Sequence, residues 1–225
     1  TQIGQTKLNN GQNLTIALVQ GPDTDWIERI VPFLSHKGEP WAWQIQQTLT
    51  AGIEPLEARY YIGLIDDSVA GNICTFTYRG TGILGHVFTS PSHRRKGVCA
   101  AIMTTLFEDF RAKNGRSLVL GTGYDSPAWH IYKRFGFEPM YPESGAMEWY
   151  DEDIDSFETD HFAPGAASVR PIDWRDWSGL STLTCGRSGS KLRLVSLEVY
   201  NRYSMEHAFL DAYRRVLEGK IGRAH

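Results

Sequence analysis

The sequence predicts an α/β (α+β) fold with a mixed, mostly antiparallel central sheet flanked by helices. Short runs rich in β-branched and aromatic residues follow one another with turn residues between them, which is typical of antiparallel strands. Segments with apolar residues spaced three and four apart precede and follow those runs, which indicates amphipathic helices. The 225 residues are 41% hydrophobic and 22% charged, so a soluble protein with a sizeable core is expected.

The first half of the chain is predicted to contain four strands and two helices. Residues 14–19 alternate loosely as a first strand, and residues 23–34 and 40–49 carry helical spacing. Three further strands are predicted at residues 58–65, 69–77 and 83–89. The turn residues Asp66-Asp67-Ser68 and Arg79-Gly80-Thr81-Gly82 separate these strands, which predicts an antiparallel meander.

The second half is predicted to alternate between helices and strands. From residue 97 the apolar side chains follow the helical period, and Asn114-Gly115 ends this helix because glycine tolerates the left-handed conformation. Residues 117–120 form a short apolar strand. Ser126 then caps another helix, and residues 137–150 form a final hairpin.

Composition divides the chain into three parts. Residues 1–13 are polar and predict a flexible tail, and residues 14–155 hold the pattern described above. An acidic run at 151–155 and a Pro-Gly-Ala-Ala run at 164–167 indicate a linker. Residues 156–225 are too few to bury a core easily and are expected to dock on the first domain or on a partner. The elements predicted there are a strand at 168–171, a helix at 172–183 and a longer helix at 194–217.

Charge and cysteine content narrow the function classes. The 23 basic and 26 acidic residues leave a net charge of -3, so the overall charge of the protein does not attract nucleic acid or an anionic membrane. Cys74, Cys99 and Cys185 are an odd number without C-x-x-C spacing, so a reducing cytoplasm is expected rather than a disulfide framework.

A basic run joins the last strand of the meander to the next helix. Its sequence is Pro91-x-x-Arg94-Arg95-Lys96-Gly97-x-Cys99. The first amides of a helix lack intrahelical partners and attract anions, and Gly97 removes a side chain that would block the approach. Arginine can bind two phosphate oxygens at once. The run therefore predicts a diphosphate site; the alternative is a solvated basic helix start.

A second pattern is Asp125-x-x-Ala128-x-x-x-Tyr132-x-x-x-Gly136-Phe137. Tyr132 lies one helical turn after Ala128 and one before Gly136, so the three share a face. A phenol there can donate a proton or a hydrogen bond. The alternative is a tyrosine that packs in the core.

Together the two patterns resemble the cofactor half of the GCN5-related N-acetyltransferase (GNAT) superfamily. The resemblance spans residues 14–150 and implies a GNAT fold over 14–155, with residues 156–225 resembling a partial second GNAT unit that lacks both patterns. It implies direct transfer of an acetyl group from acetyl-CoA, a cosubstrate, to a primary amine of a small molecule or peptide. No metal, nucleic acid or membrane is expected to take part.

The resemblance also implies roles for individual residues. Acetyl-CoA is expected to contact Val87, Thr89, Arg94, Arg95, Lys96, Gly97, Val98, Cys99, Ala100 and Asp125. Tyr132 is expected to protonate the departing thiolate or to hydrogen-bond the sulfur. His86 is the candidate base for the acceptor ammonium, since imidazole titrates near neutral pH. His36, Trp41 and Trp43 are expected to wall the acceptor pocket.

Several of these positions have alternatives. Cys99 stands where the family usually has Gly or Ala, and a helix N-terminus also favours a nucleophilic thiolate there. Asp125 stands where Asn is common, which removes an amide donor. His86 could be a satisfied structural imidazole, and Trp41 and Trp43 could be packing residues; many relatives use no side-chain base.

Two other patterns are rejected as sites. Gly80-x-Gly82-x-x-Gly85 has dinucleotide-binding spacing, but a strand follows it instead of a helix. The acidic residues of 153–161 match no recognised metal motif. Two rival functions remain, a non-catalytic acyl-CoA sensor and a structural or dimerisation module. The sequence does not identify the acceptor, and it leaves open whether the protein forms a homodimer.

Overall fold

The computed structural model describes residues 1–166, 168–185 and 205–220. The chain divides into two compact units, Thr1–Gly115 and Arg116–His225. Both combine antiparallel strands with helices, which confirms the predicted mixed α/β class. None of the helices in the described ranges is long and apolar enough to cross a membrane.

The first unit contains five antiparallel strands in sequence order. These strands are β1 (Gln2–Lys7), β2 (Asn13–Gln20), β3 (Glu57–Ile65), β4 (Ser68–Tyr78) and β5 (Thr81–Thr89). Helices α1 (Ile27–Phe33) and α2 (Trp41–Thr50) connect β2 to β3, and α3 (Val98–Ala112) follows β5. The predicted meander and the helix pair that precedes it are confirmed.

The flexible tail predicted for residues 1–13 is wrong, because this segment contains β1. The strand pairs with β2 through a tight turn in which Leu8 N–H donates to Gln12 O at 2.8 Å. Gly11, with φ of 85°, supplies the left-handed residue that the turn requires. The sequence pattern did not predict this strand because β1 is polar and largely exposed.

Helix α3 packs closely against β3 and β4. Its buried side chains are Val98, Ile102, Met103, Leu106, Phe107 and Phe110. A Cβ atom on Gly63 would lie 2.9 Å from the Ile102 side chain, and one on Gly71 would lie 2.8 Å from the Val98 side chain. Glycine at these two strand positions therefore lets the first turns of α3 approach the sheet.

The end of α3 differs from the prediction in one residue. The left-handed residue is Asn114, with φ of 57°, and not Gly115. Gly115 N–H donates to Phe110 O at 2.9 Å, which satisfies one of the last carbonyl groups of the helix. Glycine is needed at 115 because a Cβ atom there would lie 2.4 Å from the Phe110 ring.

The second unit contains three strands and four helices among its described residues. They are β6 (Ser117–Gly121), α4 (Pro127–Arg134), β7 (Glu138–Pro139), β8 (Ala146–Tyr150), α5 (Ile154–His161), α6 (Arg175–Cys185) and α7 (Met205–Leu217). Strand β8 pairs antiparallel with both β6 and β7. The predicted strand, helix and hairpin order up to residue 150 is confirmed.

The segment after β8 differs from the prediction. Helix α5 occupies the start of the predicted acidic linker, because the Asp153 carboxylate accepts from Ser156 N–H at 3.0 Å and Phe157 is fully buried. The strand predicted at 168–171 is absent, so the described part of the extension is helical. Of the helix predicted at 194–217, residues 194–204 lie outside the described residues, and α7 covers the remainder.

Candidate active site

Strand β5 carries a β-bulge at His86. The pairing of β4 with β5 shifts by one residue between Asn72 and Cys74. His86 has φ of 48°, a conformation that costs a non-glycine residue about 1 to 2 kcal/mol. Asn72 Nδ2 donates to the His86 carbonyl oxygen at 2.8 Å and helps to hold this conformation. Bulges redirect backbone groups beside active sites, and the predicted cofactor contacts Val87 and Thr89 follow immediately.

A buried hydrogen-bond chain fixes the imidazole of His86. Its Nε2 lies 2.7 Å from Gln44 Oε1, and Gln44 Nε2 donates to Thr48 Oγ1 at 2.7 Å. An amide oxygen can only accept, so this network assigns the imidazole proton to Nε2 and leaves the lone pair on Nδ1. Trp41 and Phe76 each contact the ring edge to face, with centroids 5.6 Å apart.

This environment does not support the predicted role of His86 as a base. The residue is 6% exposed. Burial, helped by the charge of Lys37, lowers the pKa of His86 to about 3. A general base works best with a pKa near the working pH. The structure therefore favours the alternative that His86 is a satisfied imidazole, which here holds the bulge in place.

We expect His86 to make folding acid-sensitive. The pKa of His86 is about 3 in the folded protein, against an ordinary value of 6.5, so between these values the unfolded chain binds the additional proton. Stability is therefore lost as the pH falls below 6.5, and this residue accounts for about 2 kcal/mol between pH 7 and pH 5. In urea unfolding at both pH values, His86→Asn should remove this loss, because Asn tolerates positive φ.

The matched control replaces an exposed histidine of the second unit. His130→Asn is expected to keep the wild-type difference in unfolding free energy between the two pH values. An unchanged difference in His86→Asn would show that the buried imidazole does not cause the acid sensitivity.

The loop between β5 and α3 is tied down at both ends. Arg94 Nε donates to Thr89 O at 3.2 Å, and the guanidinium lies 5.8 Å from the centre of the Phe88 ring. Asn9, in the turn between β1 and β2, donates its N–H to Lys96 O at 3.3 Å. The predicted diphosphate loop is therefore braced by β5 on one side and by the first hairpin on the other.

The start of α3 has the backbone geometry of an anion site. Gly97 is the N-cap residue, with φ of 94° and ψ of 0°, and no side chain caps the helix. The first bond along the helix runs from Ala101 N–H to Gly97 O at 3.0 Å. The amides of the three residues between them are those that a bound anion could satisfy.

The side chains of this loop differ in what they can contribute. Val98 is buried, so only its backbone is available, whereas Ala100 is exposed. Burial raises the pKa of the Cys99 thiol to about 11, which disfavours the nucleophile alternative. Arg95 and Lys96 form no ion pair with any residue in the described ranges, so their charges are available to an anion.

The predicted acceptor-pocket residues lie on and before α2. The exposed His36 contacts Phe88 with ring centroids 4.0 Å apart and ring planes tilted by 37°, and Trp41 contacts His86. Both therefore adjoin β5 at or just beyond the bulge. Trp43 is half-buried two residues after Trp41, so it projects from a different side of α2.

Tyr132 lies on the buried side of α4 in the second unit. Ser126 Oγ caps this helix by accepting from Trp129 N–H at 3.2 Å, as predicted. Tyr132 is 6% exposed, and its ring contacts Phe137 at 5.8 Å between centroids. Gly136, with φ of 88°, makes the turn that brings Phe137 back to this ring.

Asp125 stands at the exposed entrance to α4. It has φ of 57°, and its carboxylate pairs with His130 Nε2 at 2.9 Å. This contact is exposed to solvent, so it contributes little to stability. Any cofactor contact by this carboxylate competes with the contact to His130.

Sequence reasoning missed three residues that organise the first unit. Asn9 braces the basic loop, Gln44 fixes the imidazole of His86, and Asn72 bonds its carbonyl group. The Asn9-Asn10-Gly11 turn was a usable signal for the first hairpin. No local pattern marks the other two, because their partners lie 42 and 14 residues away in sequence.

A polar cleft of about 180 Å³ opens elsewhere in the first unit, near the end of α3. Arg59, which bonds Glu57 and Asp109, forms part of its lining. None of the predicted site residues lines this cleft, so it has no part in the predicted chemistry. In the described ranges, no group of three or more His, Cys, Asp or Glu side chains is placed to hold a metal.

Known proteins resemble this chain both in sequence pattern and in fold. The model of the family described as "Acetyltransferase (GNAT) family" matches residues 24–137. No curated protein matches the sequence. Solved structures with a similar fold have low sequence identity to the chain, between 11% and 20%, and so bear on the fold alone.

Three of these structures illustrate the similarity. The GNAT domain of S. lividans PAT has a TM-score of 0.50 and 11% identity, over 65% of this chain and 96% of that one. A putative GNAT acetyltransferase from Desulfovibrio desulfuricans has a TM-score of 0.47 and 18% identity, over 60% of this chain and 98% of that one. The PaiA N-acetyltransferase of Thermoplasma acidophilum, solved in complex with coenzyme A, has a TM-score of 0.44 and 12% identity, over 60% of this chain and 99% of that one.

Proposed function

Since the chain belongs to the acetyltransferase (GNAT) family, we propose that it is an acetyl-CoA-dependent N-acetyltransferase that acts on a primary amine. The observation that carries this proposal is the start of α3. A left-handed Gly97 and an uncapped helix N-terminus adjoin Arg95 and Lys96, two cations without ion-pair partners among the described residues. Main-chain amides and positive charge together suit a diphosphate.

In the proposed reaction acetyl-CoA supplies an activated thioester. Residues 94–100 hold its diphosphate through main-chain amides and positive charge. Val87 and Thr89 bind the pantetheine arm through their backbone and polarise the thioester carbonyl. Holding the thioester and the amine together lowers the barrier by proximity.

Tyr132 is proposed to act on the leaving group. It donates its phenolic proton to sulfur as the carbon–sulfur bond breaks and the new carbon–nitrogen bond forms, while the proton of the amine passes to water. No covalent acyl-enzyme is required. Burial raises the pKa of both Cys74 and Cys99, so neither thiol is prepared to act as a nucleophile.

The remaining predicted residues complete the proposal. His36, Trp41 and Trp43 are assigned to the acceptor side, where the first two adjoin β5. His86 is assigned a positioning role, since its ring and carbonyl group are both held by hydrogen bonds. Asp125 is assigned to the cofactor side and would have to give up its contact with His130 to bind the cofactor.

The proposal is tested by measuring thiol release from acetyl-CoA with pooled amines, alongside calorimetry of acetyl-CoA binding. We expect micromolar binding and release that depends on at least one amine pool. Binding without release from any pool would favour the acyl-CoA sensor. Absence of binding would contradict both functions.

A further inference from the structure

Lys37 is a half-buried cation that the proposed reaction does not use. It ends the short turn Ser35–Lys37 that precedes α2. Its neighbour His36 lies 4.0 Å from Phe88 of β5 between ring centroids, so Lys37 belongs to a segment that contacts β5 just beyond the bulge. Among the residues that the structure describes, no carboxylate forms an ion pair with it.

Three titratable groups that interact with Lys37, namely His36, Cys74 and His86, are neutral near neutral pH. The pKa of His86 is about 3, burial lowers the pKa of His36 below 6.5, and burial raises the pKa of the Cys74 thiol above its usual range. Burial also lowers the pKa of Lys37 from its ordinary value of 10.5. A partly desolvated cation without a counter-ion is unfavourable unless a ligand supplies the negative charge.

Asn72 provides a second, independent sign of a missing ligand. It is 1% exposed, and its Oδ1 has no hydrogen-bond partner in the described part of the chain. The amide cannot simply be reversed, because Nδ2 donates to His86 O at 2.8 Å and to Cys74 Sγ at 3.2 Å. A buried acceptor of this kind requires a donor, and the ammonium group of a ligand would be one.

The segment that carries Lys37 and the side chain of Asn72 both adjoin the end of β5, because His36 contacts Phe88, while Asn72 pairs with Phe88 and bonds the His86 carbonyl group. We propose that the acceptor is an amino acid, whose carboxylate pairs with Lys37 and whose amine is received by Asn72 Oδ1. This inference rests on the proposed acetyltransferase function and specifies its substrate class. Val87, whose backbone is proposed to bind the thioester, directly follows the bulge residue His86.

The test compares each of the twenty amino acids with its carboxamide, which keeps the side chain and the amine but removes the carboxylate. For the wild-type protein we expect kcat/KM, from thiol release, to favour the best acid over its carboxamide by about 10- to 100-fold. Lys37→Met should reduce this ratio to near one and leave the Kd of acetyl-CoA unchanged. Comparing ratios between variants cancels the difference in amine basicity between acids and carboxamides.

Two further variants serve as controls. Lys37→Arg retains the charge and should restore most of the preference, whereas Lys7→Met removes an exposed lysine of β1 and should keep the wild-type ratio. Equal use of acids and carboxamides by the wild-type protein, or an unchanged ratio in Lys37→Met, would overturn the inference. A third outcome would also overturn the inference. The wild-type protein would prefer succinyl-CoA to acetyl-CoA, would show no preference for acids over carboxamides, and would lose the first preference in Lys37→Met. Lys37 would then pair with a carboxylate of the acyl group and not of the acceptor.

Failure of the proposed function gives a different result. If no amine releases thiol, the transferase assignment fails. The inference about Lys37 is then tested separately, by calorimetry of amino-acid binding in the presence of coenzyme A. Binding of an acid but not of its carboxamide, lost in Lys37→Met and kept in Lys37→Arg, would support the inference. Absence of such binding would overturn it.

Discussion

Gly97→Glu is expected to weaken acetyl-CoA binding by at least about 1,000-fold, because a carboxylate placed beside a diphosphate costs several kcal/mol. The substitution adds negative charge at the residue that caps α3, next to the amides proposed to bind the phosphates. It also forces a side chain into a conformation with φ of 94°, which glycine alone adopts readily. Isothermal titration calorimetry with acetyl-CoA measures the loss.

Two variants separate charge from backbone strain. Gly97→Ala has the same unfavourable φ, and its methyl group would lie 3.6 Å from the Asn9 side chain, an ordinary contact, so it reports strain and bulk alone. Thr104→Glu adds the same charge on an exposed position of α3, beyond its first turn. Both should bind acetyl-CoA more tightly than Gly97→Glu, and wild-type affinity in Gly97→Glu would remove the basis of the transferase proposal.

Tyr132→Phe is expected to lower kcat by about 100-fold, the lower end of what a general acid contributes. The Kd of acetyl-CoA should change by less than about threefold, because a proton transferred only in the transition state adds little to ground-state binding. Steady-state kinetics with the best amine, together with calorimetry, provide both numbers.

The ring contact of Tyr132 with Phe137, at 5.8 Å between centroids, survives in the phenylalanine variant. A purely structural tyrosine would therefore leave kcat unaltered. Tyr124→Phe is the matched control, because Tyr124 is half-exposed on the same unit and its ring contacts Trp129. Equal effects of the two substitutions would assign Tyr132 to packing.

The sequence was informative where one local rule determined the structure. The strands β3, β4 and β5 were predicted because β-branched and aromatic residues run between clear turn residues. The start of α4 was predicted because Ser126 and Pro127 are the residues that a helix N-terminus prefers. The start of α3 was predicted because the apolar residues follow the helical period from residue 97, whereas the diphosphate role of the loop before it stays a prediction.

The predictions failed where distant contacts determined the outcome. β1 is polar, yet it forms because β2 offers a free edge with which to pair. His86 titrates ordinarily as an isolated residue, and only the packing of Trp41, Gln44 and Phe76 around it makes its environment unsuitable for a base. Nothing in the local sequence around these residues records those contacts.

The hydrogen bond from Asn9 to the carbonyl group of Lys96 has a consequence for the thermodynamics of cofactor association. A glycine-containing loop would ordinarily lose much conformational freedom when it closes around an anion. Here the first hairpin already restrains that loop, so we expect the proposed diphosphate binding to carry only a small entropic penalty.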